Sequence, residues 1–245
     1  MTLASLVITL VILLTAYFIR GITGFGSGLI AVPLLAHFLP LQFVVPLCLM
    51  LDFSASLVLS RHGRRQVRWD EIRPLLPFTV IGIVIGAFLL LKLPREPLLT
   101  SLGLFVMLFG LRYVLNIHGE HGISRLWAMP AGLLGGMIGA LFGTGGPPYV
   151  IYLTHRLRDK FELRATFSGL FLLEGALRIV TFLLAGLLLQ GELFRTLLLA
   201  MPVMALGLYL GNKVHIGIGQ RQMILLIGLL LVISGASLLW RAWSP

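Results

Sequence analysis

The stretch Gly143-Thr144-Gly145-Gly146-Pro147-Pro148 interrupts an apolar run from Leu126 to Leu153. Three glycines and two prolines in six residues break a helix, yet the residues on both sides belong in lipid. Irregular backbone at that depth is tolerated only where it is buried in protein or lines a cavity. A second interruption, Gly21-Ile22-Thr23-Gly24-Phe25-Gly26-Ser27-Gly28 with Pro33 after it, sits the same way between two apolar runs. The reading of the chain turns on whether one device is used twice.

Composition sets the frame for that question. Of 245 residues, 58% are hydrophobic and only 11% charged, and the mean hydropathy is +1.00. A soluble domain carries about 25% charged residues, so this chain lacks the means to cover itself with a solvated surface. It reads as an all-α polytopic membrane protein embedded in a lipid bilayer. No polar stretch much exceeds a dozen residues, which leaves no room for a separate soluble domain. The formal charge of +10 does not point to nucleic acid, because Lys and Arg collect in cytoplasmic loops where they orient helices. Cys48 is the single cysteine, so no intrachain disulfide forms and it is expected to serve as a small packing residue. No basic residue precedes the first apolar run, which is therefore expected to be a retained span.

Ten apolar segments follow, at about 20 residues for a full crossing. They are Leu3–Ile19, Ile22–Leu39, Gln42–Leu59, Leu75–Leu93, Leu98–Leu115, Leu126–Phe142, Pro147–His155, Ala165–Gln190, Leu193–Gly211 and Met223–Trp240. The seventh is too short to cross and is expected to form a half-helix in a hairpin with the sixth. On this count fourteen basic residues, Arg20 among them, fall on one side and four on the other. That segregation supports ten segments with both termini outside.

Pro77, Gly82, Gly86, Gly103 and Gly110 recur as Pro202, Gly207, Gly211, Gly228 and Gly235, each 125 residues later. Gly21, Gly24, Gly28 and Pro33 recur as Gly136, Gly139, Gly143 and Pro148, each 115 residues later. The chain thus divides into a first repeat (1–116), a cytoplasmic linker (117–125) and a second repeat (126–245). Five segments per half is an odd number, so the second half is expected upside down relative to the first. The basic loops agree, Arg61–Arg73 following the third segment and Arg156–Arg164 preceding its equivalent. Inverted repeats with helices interrupted at matching positions point to a transporter whose site lies near the midplane.

The chemistry-bearing residues are few. Asp52 and Glu174 are the acids placed well inside apolar segments, and Arg178 lies one helical turn beyond Glu174. One reading is a structural ion pair that lets two polar residues enter the bilayer. The other has Arg178 attract an anion while Asp52 or Glu174 takes up a coupling proton or sodium ion. A helix starting at a glycine break presents unpaired N–H groups to an anion. Gly24, Gly26, Ser27 and Gly28 with Thr144, Gly145, Gly146, Pro147 and Arg178 are therefore the candidate substrate-binding residues. The Gly82/Gly86 and Gly207/Gly211 pairs, with no proline or hydroxyl cluster beside them, read as helix-packing faces. No histidine pair has metal-ligand spacing, and Gly26-Ser27-Gly28 follows an apolar helix, not a strand. No catalytic residue, metal or cofactor is expected.

The run Gly21-I-T-G-F-G-S-G-L-I-A-V-Pro33-L-L, with Gly136-M-I-G-A-L-F-G-T-G-G-P-Pro148, resembles the TauE/SafE family of membrane permeases. The resemblance covers nearly the whole chain and implies export of sulfur-containing anions such as sulfite and organosulfonates across the bacterial inner membrane. The sequence thus predicts a secondary transporter of a small anion working by alternating access, its site built where the two breaks meet. A channel whose pore is lined by the same breaks is the alternative. Which anion and coupling ion it uses, and whether it forms a homo-oligomer, stay open.

Overall fold

The computed structural model describes residues 3–23, 26–59, 67–114, 123–144, 146–214 and 220–243. Among these residues every regular element is helical. The helices are α1 (Leu3–Thr23), α2 (Ser27–Leu35), α3 (Leu41–Leu59), α4 (Trp69–Ile72), α5 (Leu76–Lys92) and α6 (Arg95–Val114). A 3₁₀ turn (Arg125–Trp127) then leads into α7 (Ala128–Phe142), α8 (Gly146–Arg156), α9 (Lys160–Leu184), α10 (Gly191–Val214) and α11 (Gln220–Trp243). Among the described residues, four stretches are long and apolar enough to cross a membrane: Ser5–Ile22, Arg125–Phe142, Ala165–Leu184 and Gly191–Lys213. Leu41–Leu57, Leu76–Lys92 and Leu231–Trp240 are shorter apolar helices. Gly24, Gly145 and the loop residues Arg61, Arg64 and Arg65 lie outside the described residues.

The second segment is shorter than its hydropathy suggests. The chain was expected to run helical from Ile22 to Leu39, whereas α1 continues to Thr23 and α2 spans only nine residues. Gly26 caps α2 at φ 94°, a backbone conformation that costs glycine nothing and other residues much. Pro33 lies within α2, and eight of the nine residues are buried. The other short helix, α8, opens with Gly146-Pro147-Pro148, where proline's missing N–H is among those left unpaired at any helix start. Before it, α7 ends at Gly143 (φ 66°), whose N–H returns to the Gly139 carbonyl at 2.9 Å.

The helices group into two compact units. The first comprises residues 1–48, 92–118 and 191–245. In it α1 packs along α10 so closely that a Cβ on Gly21 would stand 2.6 Å from the Leu208 carbonyl and 2.9 Å from the Gly211 Cα. A Cβ on Gly207 would stand 2.8 Å from the Leu14 carbonyl. In the same unit α6 lies on α11, with Gly103 against the Gly235 carbonyl and Gly110 against that of Gly228.

The second unit comprises residues 49–91 and 119–190. Here α5 crosses α7 through the other glycine pair. A Cβ on Gly82 would lie 2.8 Å from the Met137 amide nitrogen, and one on Gly86 would lie 2.9 Å from the Ala140 Cβ. Gly82/Gly86 and Gly207/Gly211 are therefore close-packing faces, as their spacing suggested. An apolar core of Ile72, Leu75, Ala128, Ala131, Tyr149, Tyr152, Leu153, Leu157 and Leu170 joins α4 and the turn after it to α7, α8 and α9.

The two crossings share a register. Gly211 meets Phe18 and Gly21, whereas Gly86 meets Met137 and Ala140, a shift of 119 residues on the partner helix. Helix ends agree, since α1 and α7 end at Thr23 and Phe142, and α2 and α8 start at Ser27 and Gly146. The glycine pattern alone gave 115, one helical turn less.

Candidate functional site

The first break is organised by a residue that sequence reading used only for orientation. Arg20 was counted as a loop cation, but it lies within α1 with 7% of its surface exposed. Its Nη1 donates to the Ser27 Oγ at 2.9 Å. Ser27 is the first residue of α2 and is buried. The left-handed turn at Gly26 brings the chain back far enough for two residues seven apart, on different helices, to meet. The outcome is a guanidinium at a helix N-terminus, where the N–H groups already favour negative charge. Gly26 is half-buried and Gly28 is buried in the first turn of α2.

The second break is built on α7, α8 and α9. Arg178 and Glu174, one turn apart on α9, are both buried and form an ion pair, Nε to Oε1, at 2.9 Å. Arg178 Nη1 also donates to the Gly139 carbonyl, the oxygen that accepts the Gly143 N–H. The guanidinium thus caps the negative end of α7 at the break. Thr144 and Pro147 are buried beside it in sequence, and Gly146 is half-buried. Asp52, on α3, is half-buried. Its neighbour Phe53 packs 3.1 Å from where a Cβ on Gly175 would lie, so the acids sit on touching stretches of α3 and α9. Within this unit the structure brings together Arg178, Glu174 and the end of α7, with Asp52 close by.

α8 is pinned along one face. Tyr149 Oη donates to the Thr79 Oγ1 of α5 at 3.1 Å, both groups buried. Further along, Tyr152 Oη donates to Glu71 at 2.8 Å, and Arg156 reaches the same carboxylate through Nη2 at 2.7 Å and Nε at 3.1 Å. Arg125 joins them with Nη2 at 3.2 Å. Around this centre Arg68 pairs with Asp70 (3.0 Å) and Glu162 (3.1 Å). Burial pushes the Glu71 carboxyl up, but hydrogen bonds from Arg156 and Tyr152 and the Arg156 charge outweigh it and hold the group below its ordinary range. Sequence reading passed over Glu71 because its neighbours in the chain are polar. Three of the basic residues used to orient the chain (Arg68, Arg125 and Arg156) prove to be neutralised by acids.

A family model described as sulfite exporter TauE/SafE matches residues 8–238. The chain belongs to the TauE/SafE family. Among curated relatives, a probable inner membrane transporter protein, TsaS, from Comamonas testosteroni is 32% identical over 200 residues. That match covers 80% of this chain and 83% of the relative. A probable membrane transporter protein from Haemophilus influenzae is 28% identical over 157 residues, covering 58% of this chain and 60% of the relative. No solved structure matches the chain. The names of the family model and of these relatives point to membrane transporters, and the apolar helices of this TauE/SafE chain suit that role.

Proposed function

We propose that this chain is a secondary transporter that moves a small anion, sulfite- or organosulfonate-like, by alternating access and at the expense of an ion gradient. The observation that carries the reading is the buried Arg20 guanidinium set on the hydroxyl of Ser27, the first residue of a short helix inside an apolar chain. A positive side chain, a hydroxyl and the N–H groups of a helix start together favour an anion. The name of the family model, sulfite exporter, supports the sulfur oxyanion class.

In this reading the second break supplies its own cation, Arg178. The two halves, 1–116 and 126–245, are inverted repeats with both termini outside. The 119-residue register shared by the α1–α10 and α5–α7 crossings supports the repeat. So does the reciprocal meeting of Gly103 with Gly235 and Gly110 with Gly228, a pattern that an approximate two-fold axis produces. In that register Arg20 corresponds to Gly139, the residue whose carbonyl receives Arg178. Each break is thus given a guanidinium, from α1 in one half and from α9 in the other. Glu174 and Asp52 take up the coupling proton or sodium ion.

Uptake of radiolabelled sulfite into proteoliposomes tests the proposal. A hydrogen bond to a charged group contributes about 1.5–3 kcal/mol, so Arg20→Ala should lower kcat/KM roughly 10- to 150-fold. A monodisperse Arg20→Ala protein that transports and binds sulfite like the parent removes Arg20 from the site.

A further inference from the structure

The Glu71 cluster lies outside the candidate site, yet it ends on one of the site's helices. α8 has eleven residues, about 16 Å of rigid rod, and its first residue is Gly146 at the break. Tyr149, Tyr152 and Arg156 follow one another along a single face. Tyr149 is held by Thr79 on α5, while Tyr152 and Arg156 are both held by Glu71 on the short helix α4. Arg156 is tied further by its Nη1 to the Ile123 carbonyl at 3.2 Å. Glu71 side-chain exposure is 3%, and Ile72 beside it is buried in the apolar core that α8 also enters.

The charges make this anchor directional. Arg125 and Arg156 share one carboxylate oxygen, at 3.2 and 2.7 Å, so the two guanidiniums are held close together by the acid between them. Without that acid they repel, and Arg156 is the one carried by α8. The displaced end of a rigid helix moves the other end with it, because the hydrogen bond at Tyr149 lies only one turn from the start and acts as a pivot.

We propose that Glu71 is a positioning residue for transport, fixing through Tyr152 and Arg156 where the start of α8, Gly146-Pro147, stands. The inference rests on the reading that this helix start faces the transported anion. It assigns a transport role to an acid outside the membrane-spanning helices.

The test uses two full chains in proteoliposomes: the native chain, on which sulfite flux is read, and a separate Cys48→Ala, Thr144→Cys chain, on which labelling alone is read, since Cys48 is the single native cysteine. The labelling rate of the thiol at position 144 by N-ethylmaleimide reports the geometry of the break, and sulfite flux reports KM and kcat. Glu71→Gln should change the labelling rate at least fivefold and raise the sulfite KM at least fivefold, with a smaller change in kcat. Glu71→Asp, which keeps the charge, should return both to within about twofold of the parent. Tyr152→Phe should move both in the same direction by less, and it serves as the second variant if Glu71→Gln fails to fold. Unchanged labelling and KM in folded Glu71→Gln or Tyr152→Phe protein overturn the positioning role, whatever happens to thermal stability. Labelling that shifts while KM does not overturns the placement of the α8 start at the anion. A parent protein that moves no sulfite overturns the substrate reading, and the labelling rate then decides the role of Glu71 by itself.

Discussion

Removing Glu174 alone should be far more damaging than removing it together with Arg178. Glu174→Ala leaves a guanidinium in a place where 6% of the side chain is exposed, with its carboxylate partner gone. Breaking one side of a buried ion pair costs about 3–5 kcal/mol, because the remaining charge is neither solvated nor neutralised. At about 2–4 °C per kcal/mol for a chain of this size, the melting temperature should fall by roughly 6–20 °C. Replacing both members by apolar residues of similar length, Glu174→Leu with Arg178→Met, removes the uncompensated charge. The Gly139 carbonyl keeps the Gly143 N–H at 2.9 Å, so it too remains satisfied. The double variant should therefore unfold within about 1 kcal/mol of the parent, as apolar replacements of buried pairs often do. Unfolding in mixed micelles, measured as a full cycle of parent, two singles and double, gives the coupling directly. Additive losses, with the double variant worse than either single, would refute the reasoning. The same proteins separate structure from transport. A stable double variant that no longer binds sulfite keeps Arg178 at the anion, whereas one that binds like the parent reduces the pair to a device for burying two charges.

Other expectations follow from single contacts. Gly86→Leu should destabilise by at least about 1–3 kcal/mol, since its Cβ would already press on Met137 and Ala140, while Gly191→Ala, with open space around it, should be neutral in thermal unfolding. Tyr149→Phe should cost about 0.5–1.5 kcal/mol by leaving the buried Thr79 hydroxyl without its donor, and adding Thr79→Val should recover most of the loss. Glu71 is held below its ordinary pKa of 4.5, so its contribution to stability is complete above that value and is lost as pH falls toward the lowered one. Acid unfolding followed between pH 6 and 3 should show a steeper loss in the parent than in Glu71→Gln.

Much of the helical layout was legible because hydropathy and glycine–proline breaks mark it directly. The Glu174–Arg178 pair was legible for the same local reason, four residues on one helix face. What escaped depends on chain reversal and on partners remote in sequence. Apolar residues continue from Leu29 through Ala36, so hydropathy ran α2 into its neighbours, and only the φ of Gly26 reveals how short it is. The same turn makes the Arg20–Ser27 contact, which no helical periodicity predicts. Glu71 is buried by Arg125 and Arg156, 54 and 85 residues away, not by its neighbours in the chain.

The partnering of α1 with α10 bears on how the chain is made. Gly21 and Gly211, which touch, are 190 residues apart, whereas Gly86 and Ala140 are 54 apart. At a synthesis rate of about 5–20 residues per second, α1 spends roughly 10–40 s in the membrane before its partner emerges, against about 3–11 s for α5. During that wait the face of α1 that α10 will cover, at Leu14, Phe18 and Gly21, is open to lipid and to other nascent chains. A chain truncated before Gly191 never closes it, which makes α10 the step of biogenesis that commits the N-terminal helix to its place.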